Sequence, residues 1–157
     1  MDELGTNGES AGLPTRARAP RIVRGVARHF AELGCASLPE VPLANGRRAD
    51  LLVLEPKGGL AVVEVKSSPA DLAADRKWPD YRAFCDRFYF AVDLDFPRTL
   101  LPEGTGVLVA DDYGAEIVAA APAHPLAAAR RKAVTLRFAQ LAARRLMGVE
   151  DPLAQLS

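Results

Sequence analysis

At 157 residues the chain has the length of one domain with a real core, and its 49% hydrophobic and 25% charged residues suit an ordinary soluble globular protein. Lysine plus arginine and aspartate plus glutamate balance at 20 each, so no global field draws the chain to nucleic acid, and a basic surface must come from uneven placement. Two cysteines make neither a disulfide framework nor a zinc site, no apolar run approaches the roughly 20 residues of a membrane span, and the acidic, Gly-rich start lacks the apolar stretch of a signal peptide, so the expected location is the cytoplasm.

Residues 1–19 carry almost no large apolar side chains and read as a disordered tail. Ile22, Val26 and Phe30 recur at helical spacing and predict a helix over 21–33, with Gly34 as its stop. A short strand over 40–43 leads through Asn45-Gly46, a hairpin signal, into a strand over 48–55. After a turn at 56–59, a third strand covers 60–66. Both of these last runs are rich in Leu and Val, as in strands covered on two faces.

Ser68, Pro69 and Asp71 announce the next helix as its cap, its first-position proline and an acidic first-turn residue; Pro79 breaks or restarts it. A strand over 88–92 follows, then a hairpin over 104–122 turning near Tyr113-Gly114. A long helix over 125–147 closes the chain, with Val134, Phe138, Leu141 and Ala142 on one stripe. The order predicts a single α/β domain over 20–150, a mixed sheet flanked by helices, with a short tail over 151–157.

A charge inside those two apolar strands is costly unless it is paired or bound to a metal. Asp50 opens one strand and Glu64-Val65-Lys66 ends the next. Side chains alternate along a strand, so Glu64 and Lys66 share a face, and a hairpin through 56–59 brings Asp50 beside them. Two oxygen-donor carboxylates suit a hard cation such as Mg²⁺, and a lysine beside it can orient water or offset charge on a phosphoryl group. Spacing alone leaves open a buried carboxylate–lysine ion pair that only closes the sheet.

Asp50, thirteen intervening residues and Glu64-Val65-Lys66, in strand–turn–strand context after a helix, resemble the PD-(D/E)xK nuclease superfamily. The segments GRRADLLVL, VVEVKSS, DRKWPDYRAFCDRFYFAVD, VADDYGAEI and ARRKAVTLRFAQLAARRL are similar to MmcB-type DNA repair proteins, associated with mitomycin C resistance, over roughly residues 20–148. The resemblance implies a restriction-endonuclease-like core and DNA phosphodiester hydrolysis with Mg²⁺ or Mn²⁺. It makes Asp50 and Glu64 the metal-binding carboxylates, Lys66 the catalytic lysine and the Val65 carbonyl a further ligand. Ala49 stands where the motif has proline, a harmless departure. The first helix opens with Arg21, Ile22, Val23 and Arg24 where many relatives place another glutamate. Glu40, from the first strand, either substitutes for it by entering the same pocket or is a solvated residue at a strand end; Glu32, near the helix end, is read as surface.

Around this site, Ser67, Arg48 and Lys77 are candidate substrate contacts. Ser68 is a helix cap and Trp78, beside Pro79, a packing anchor. His29 and His124 are far apart in sequence and meet no recognisable nucleophile elbow. The last helix holds Arg130, Arg131, Lys132, Arg137, Arg144 and Arg145 without an acidic residue before Met147, and Arg16, Arg18, Arg21, Arg24 and Arg28 cluster at the first. Such unbalanced stretches suit phosphate-backbone contact, with Arg130, Arg131 and Lys132 as the expected residues. DNA is the expected partner, no membrane is, and a second copy or a repair protein is left open. A DNA-binding repair accessory without catalysis is the alternative function.

Overall fold

Strands built almost wholly of Leu, Val and Ala have no face suited to water, and the fold forms around two of them. The computed structural model describes residues 15–154. In chain order the elements are α1 (Thr15–Glu32), β1 (Ala36–Pro42), β2 (Arg48–Leu54), β3 (Leu60–Val65), α2 (Pro69–Ala74), a 3-10 segment (Trp78–Phe84), β4 (Arg87–Val92), a short 3-10 turn (Arg98–Leu100), β5 (Gly106–Ala110), β6 (Ala115–Ala119) and α3 (Ala128–Glu150). They form one α/β domain around a six-stranded sheet in the order β1-β2-β3-β4-β5-β6. The β1–β2, β2–β3 and β5–β6 pairs are antiparallel, while β3–β4 and β4–β5 are parallel.

Alternate residues of the central strands feed two cores. On one face Leu51, Val53, Ala61, Val63 and Tyr89 pack against Ile22, Val26 and Phe30 of α1. On the other, Leu52, Leu60, Val62, Phe88 and Phe90 meet Tyr81 and Phe84 of the 3-10 segment and Val134 and Phe138 of α3. Every residue of β3 is buried, Glu64 included. The edge strand β1 tolerates Pro39 and Pro42, as edges do.

The expected elements all form, with shifted ends. The first helix starts at Thr15, not at residue 21, with Pro20 inside it. Pro20 is the sixth residue of this helix, past the N–H groups that lack a helical acceptor, so the helix forgoes the bond to the residue 16 carbonyl there. Residues 15–19 are therefore helical, and the rest of the expected tail, 1–14, lies outside the described residues, as do 155–157 of the C-terminal tail. At its other end α1 closes with a left-handed Gly34 at φ +77°, the Cys35 N–H donating to the Phe30 carbonyl and the Gly34 N–H to that of Ala31. This is the Schellman arrangement, and it sets the angle at which the chain enters β1.

The capping expectation for α2 holds: the Ser68 side chain accepts from the Asp71 N–H at 3.1 Å. Trp78 opens the 3-10 segment, half-buried, stacked on Phe88 at 5.5 Å and edge-on to Phe90. It is the packing anchor its position beside Pro79 implied.

Candidate functional site

The β2–β3 ladder pairs Leu51 with Val63, which makes Asp50 and Glu64 the next residues across from each other. Their side chains take over where the ladder stops. The Asp50 N–H donates to Glu64 Oε1 at 3.0 Å, and the Val65 N–H donates to Asp50 Oδ2 at 2.8 Å. Two amides at the open end of the hairpin are thus satisfied by carboxylates, which fixes both side chains against the backbone.

Glu64 is 5% exposed. Burial pushes its carboxyl up to about 8, and the neighbouring Asp50 charge pushes the same way, against the Asp50 N–H and Lys66. Asp50 is also raised, by burial first, although the Val65 N–H, its hydrogen bond with Glu64 and the Lys66 charge pull it down. Each carboxyl is therefore lifted above its ordinary value, by burial first.

Both face a cavity of about 520 Å³. Its floor is Asp50, Glu64, Val65 and Lys66; its walls are Pro39 and Glu40 of β1, Ala19, Pro20 and Val23 of α1, and Asp71 of α2. The α1 wall is apolar, so the glutamate absent from the start of that helix has no replacement there. Glu40 reaches the cavity from β1 as expected, but its side chain is exposed at the rim. Among the described residues no group of three or more His, Cys, Asp or Glu side chains stands close enough to ligate one ion. The carboxylates that meet at the floor are Asp50 and Glu64, and Glu40 stands apart from them.

Lys66 is buried, with its ammonium 2.8 Å from Asp75 and 4.0 Å from Asp71. Asp71 also accepts from the N–H of buried Ser67 at 3.2 Å. Burial works to raise the Asp75 carboxyl, but the Lys66 hydrogen bond and the Lys77 and Trp78 amides outweigh it and hold the carboxyl below its ordinary value. Asp75 was not singled out from the sequence as a partner for Lys66, although Asp71 and Asp75 at i and i+4 after a Glu-x-Lys strand was the available signal. Tyr81 was also missed. Its hydroxyl donates to the Arg48 carbonyl at 2.9 Å, and burial followed by the charges of Glu64, Asp50 and Asp75 raises the phenol.

The remaining expected contacts separate. Arg48 is exposed at the start of β2, next to the site, whereas Lys77 is exposed at the start of the 3-10 segment and contributes only its N–H, to Asp75 Oδ1 at 2.9 Å. Arg130, Arg131 and Lys132 are not brought to the cavity. Arg131 binds Asp86 through both guanidinium nitrogens, at 2.7 and 2.6 Å, and the Gly58 carbonyl at 3.1 Å, at the turn end of the hairpin. Arg130 lies over the Phe84 ring at 4.6 Å. Helical rise carries α3 about 20 Å further before Arg145 meets β1, and there it bonds the Pro39 and Glu40 carbonyls. On α1, Arg18 faces Asp93 at 3.7 Å and Arg21 faces Asp112 at 3.6 Å, so that cluster is partly neutralised.

Two oxygen-donor carboxyls that burial raises, on a pocket open to water, suit a hard divalent cation. A family model described as DNA repair protein MmcB-like matches residues 9–153. The solved structure of the SPO1766 protein of unknown function from Silicibacter pomeroyi is similar at 48% identity and TM-score 0.86, covering 88% of this chain and 95% of that one. No curated protein matches the chain.

Proposed function

The chain belongs to the family of MmcB-like DNA repair proteins, and from that premise we propose that it is a Mg²⁺- or Mn²⁺-dependent nuclease of the PD-(D/E)xK kind that hydrolyses DNA phosphodiester bonds. One observation carries the reading: Asp50 and Glu64 meet on a cavity floor beside Lys66, both carboxyls raised by burial. A pair serving only as an ion pair with Lys66 would have the lysine as its nearest partner, yet Lys66 is bound to Asp75.

In this reading Asp50 and Glu64 would hold the ion, with the Val65 carbonyl as a further ligand. The bound ion would supply Lewis-acid polarisation of a phosphoryl oxygen and a more acidic water. Asp75 keeps the Lys66 ammonium fixed on the cavity floor, where it would offset negative charge building on the phosphoryl group. The apolar face of Ala19, Pro20 and Val23 limits water on one side. Arg48 is the exposed cation beside the motif and the nearest of the expected residues for the DNA backbone.

The test is a cleavage screen with Mg²⁺ and Mn²⁺ over duplex, flap, junction and crosslinked DNA. Cleavage should need the ion and fall at least about 100-fold in Asp50→Asn and Lys66→Ala, the usual scale for removing a group that stabilises transition-state charge. Equal cleavage by wild type and Asp50→Asn would remove the site from the chemistry.

A second reading, a DNA-binding repair accessory without catalysis, draws on one feature: only two carboxylates converge on the floor, among the described residues. It predicts ion-independent, salt-sensitive DNA binding and no cleavage of any substrate in the screen.

A further inference from the structure

Glu40 is the one non-glycine residue among those described whose backbone is left-handed, at φ +50°. It sits in β1 between Pro39, paired with Leu51, and Val41, paired with Ala49, so it stands across from Asp50 where the ladder is interrupted. Glycine or asparagine occupies that conformation more readily than a glutamate. Backbone strain of this kind persists only where the surroundings hold it, and it gathers at working sites.

Here the hold comes from α3. Arg145 Nη2 donates to the Glu40 carbonyl at 2.7 Å, and Nη1 donates to the Pro39 carbonyl. A planar fork matches two successive carbonyls in a way an ammonium cannot. The residue so clamped lines the same cavity as Asp50 and Glu64, and its side chain is exposed.

We infer that Arg145 is a positioning residue for the cation site, acting through Glu40. By clamping the left-handed turn it sets the Glu40 carboxylate as the acceptor for water molecules carried by an ion on Asp50 and Glu64. Mg²⁺ bound by two carboxylates keeps several waters, and outer-shell partners that orient the ligands are worth roughly 10- to 100-fold in affinity. The inference rests on the ion-binding part of the proposed function. It adds a residue from the far end of the chain that hydrogen-bonds two main-chain carbonyls of β1.

Calorimetric titration of the intact protein with Mn²⁺ tests it, with melting curves as the check on folding. Glu40→Gln and Arg145→Ala should each weaken Mn²⁺ binding about tenfold, the low end for outer-shell partners. Arg145→Ala should cost nothing further when Glu40 is already glutamine, because the two then share one effect. Arg145→Lys should recover part of the affinity. Should Arg145→Ala fail to fold, Glu40→Gln and Arg145→Lys, alone and combined, make the same comparison. Wild-type binding with unchanged affinity in the variants, or independent additive losses, overturns the role of Arg145 alone. No Mn²⁺ binding by wild type overturns it together with the nuclease reading.

Discussion

At the turn end of the β2–β3 hairpin, Asp86 accepts from the Leu60 and Leu126 amides, both at 2.8 Å, and from both nitrogens of the Arg131 fork. The Arg131 hydrogen bonds, outweighing burial and aided by the two amides, hold its carboxyl down to about 2. At the open end, Asp50 and Glu64 have one backbone amide each and one another, and burial lifts both. The residue chemistry is the same and the donor supply is not. A carboxylate that holds the fold together finds its donors within the chain, whereas a pair short of donors stores repulsion that an outside cation can relieve.

The largest expected effect breaks the turn end. Asp86→Ala strands two amides and the Arg131 fork, at a cost on the order of 3 kcal/mol. For a chain of this size that lowers the melting temperature by about 10 °C. Asp50→Asn, which removes repulsion while leaving an oxygen for the Val65 amide, should melt no lower than wild type without metal. Added Mg²⁺ or Mn²⁺ should raise wild type and leave Asp50→Asn nearly unmoved. Melting curves of the three proteins with and without ion decide the matter; an Asp50→Asn loss as deep as that of Asp86→Ala would make the open end a second structural bolt.

A smaller effect sharpens the contrast through pH. The Glu64 carboxyl lies at about 8 in the fold against an ordinary 4.5, so the folded state binds the extra proton between those values. Ion-free stability should therefore be full below about 4.5 and fall as pH rises through about 8. Asp86 runs the other way: its contribution is present above its ordinary 3.8 and is lost as pH falls through about 2. Denaturant midpoints across this range should show two slopes of opposite sign, and Glu64→Gln should flatten the neutral one alone. Persistence of the neutral slope in that variant would assign it to another group.

These contrasts were unequally legible in the sequence. Alternation and turn chemistry brought Asp50 beside Glu64 and Lys66, because a hairpin with strong turn residues has little freedom of register. The start of α1 was not legible, since the expected helix began at residue 21, after Pro20, and Pro20 is instead carried inside the helix. That matters for the site, as Ala19 and Pro20 form its apolar wall. Nor could a row of basic residues reveal its own division of labour. Arg131 is committed to Asp86 and Arg145 to two carbonyls of β1, contacts separated by 45 and 105 residues along the chain. Periodicity gives the face of a helix and says nothing of where along the sheet each turn will lie.

The smallest expected effect compares the two cations. Arg131 is bound to the carboxylate it stabilises, whereas Lys66 is bound to Asp75 and reaches Asp50 and Glu64 only through space. Replacing Lys66 with methionine keeps most of its apolar stem in the buried site and removes the charge. Asp75 retains the Lys77 and Trp78 amides, so the loss of fold should be modest. The Lys66 charge lowers both carboxyls of the pair, so without it the neutral fall in ion-free stability should move to higher pH. Mn²⁺ should bind at least as tightly at alkaline pH, since a like charge beside the ion is gone, while any cleavage is lost. Those signs separate a lysine kept for a substrate phosphate from one that merely neutralises the pair. In the second case Lys66→Met would leave two uncompensated carboxylates and collapse the fold near neutrality, and a melt at pH 7 without ion distinguishes the two.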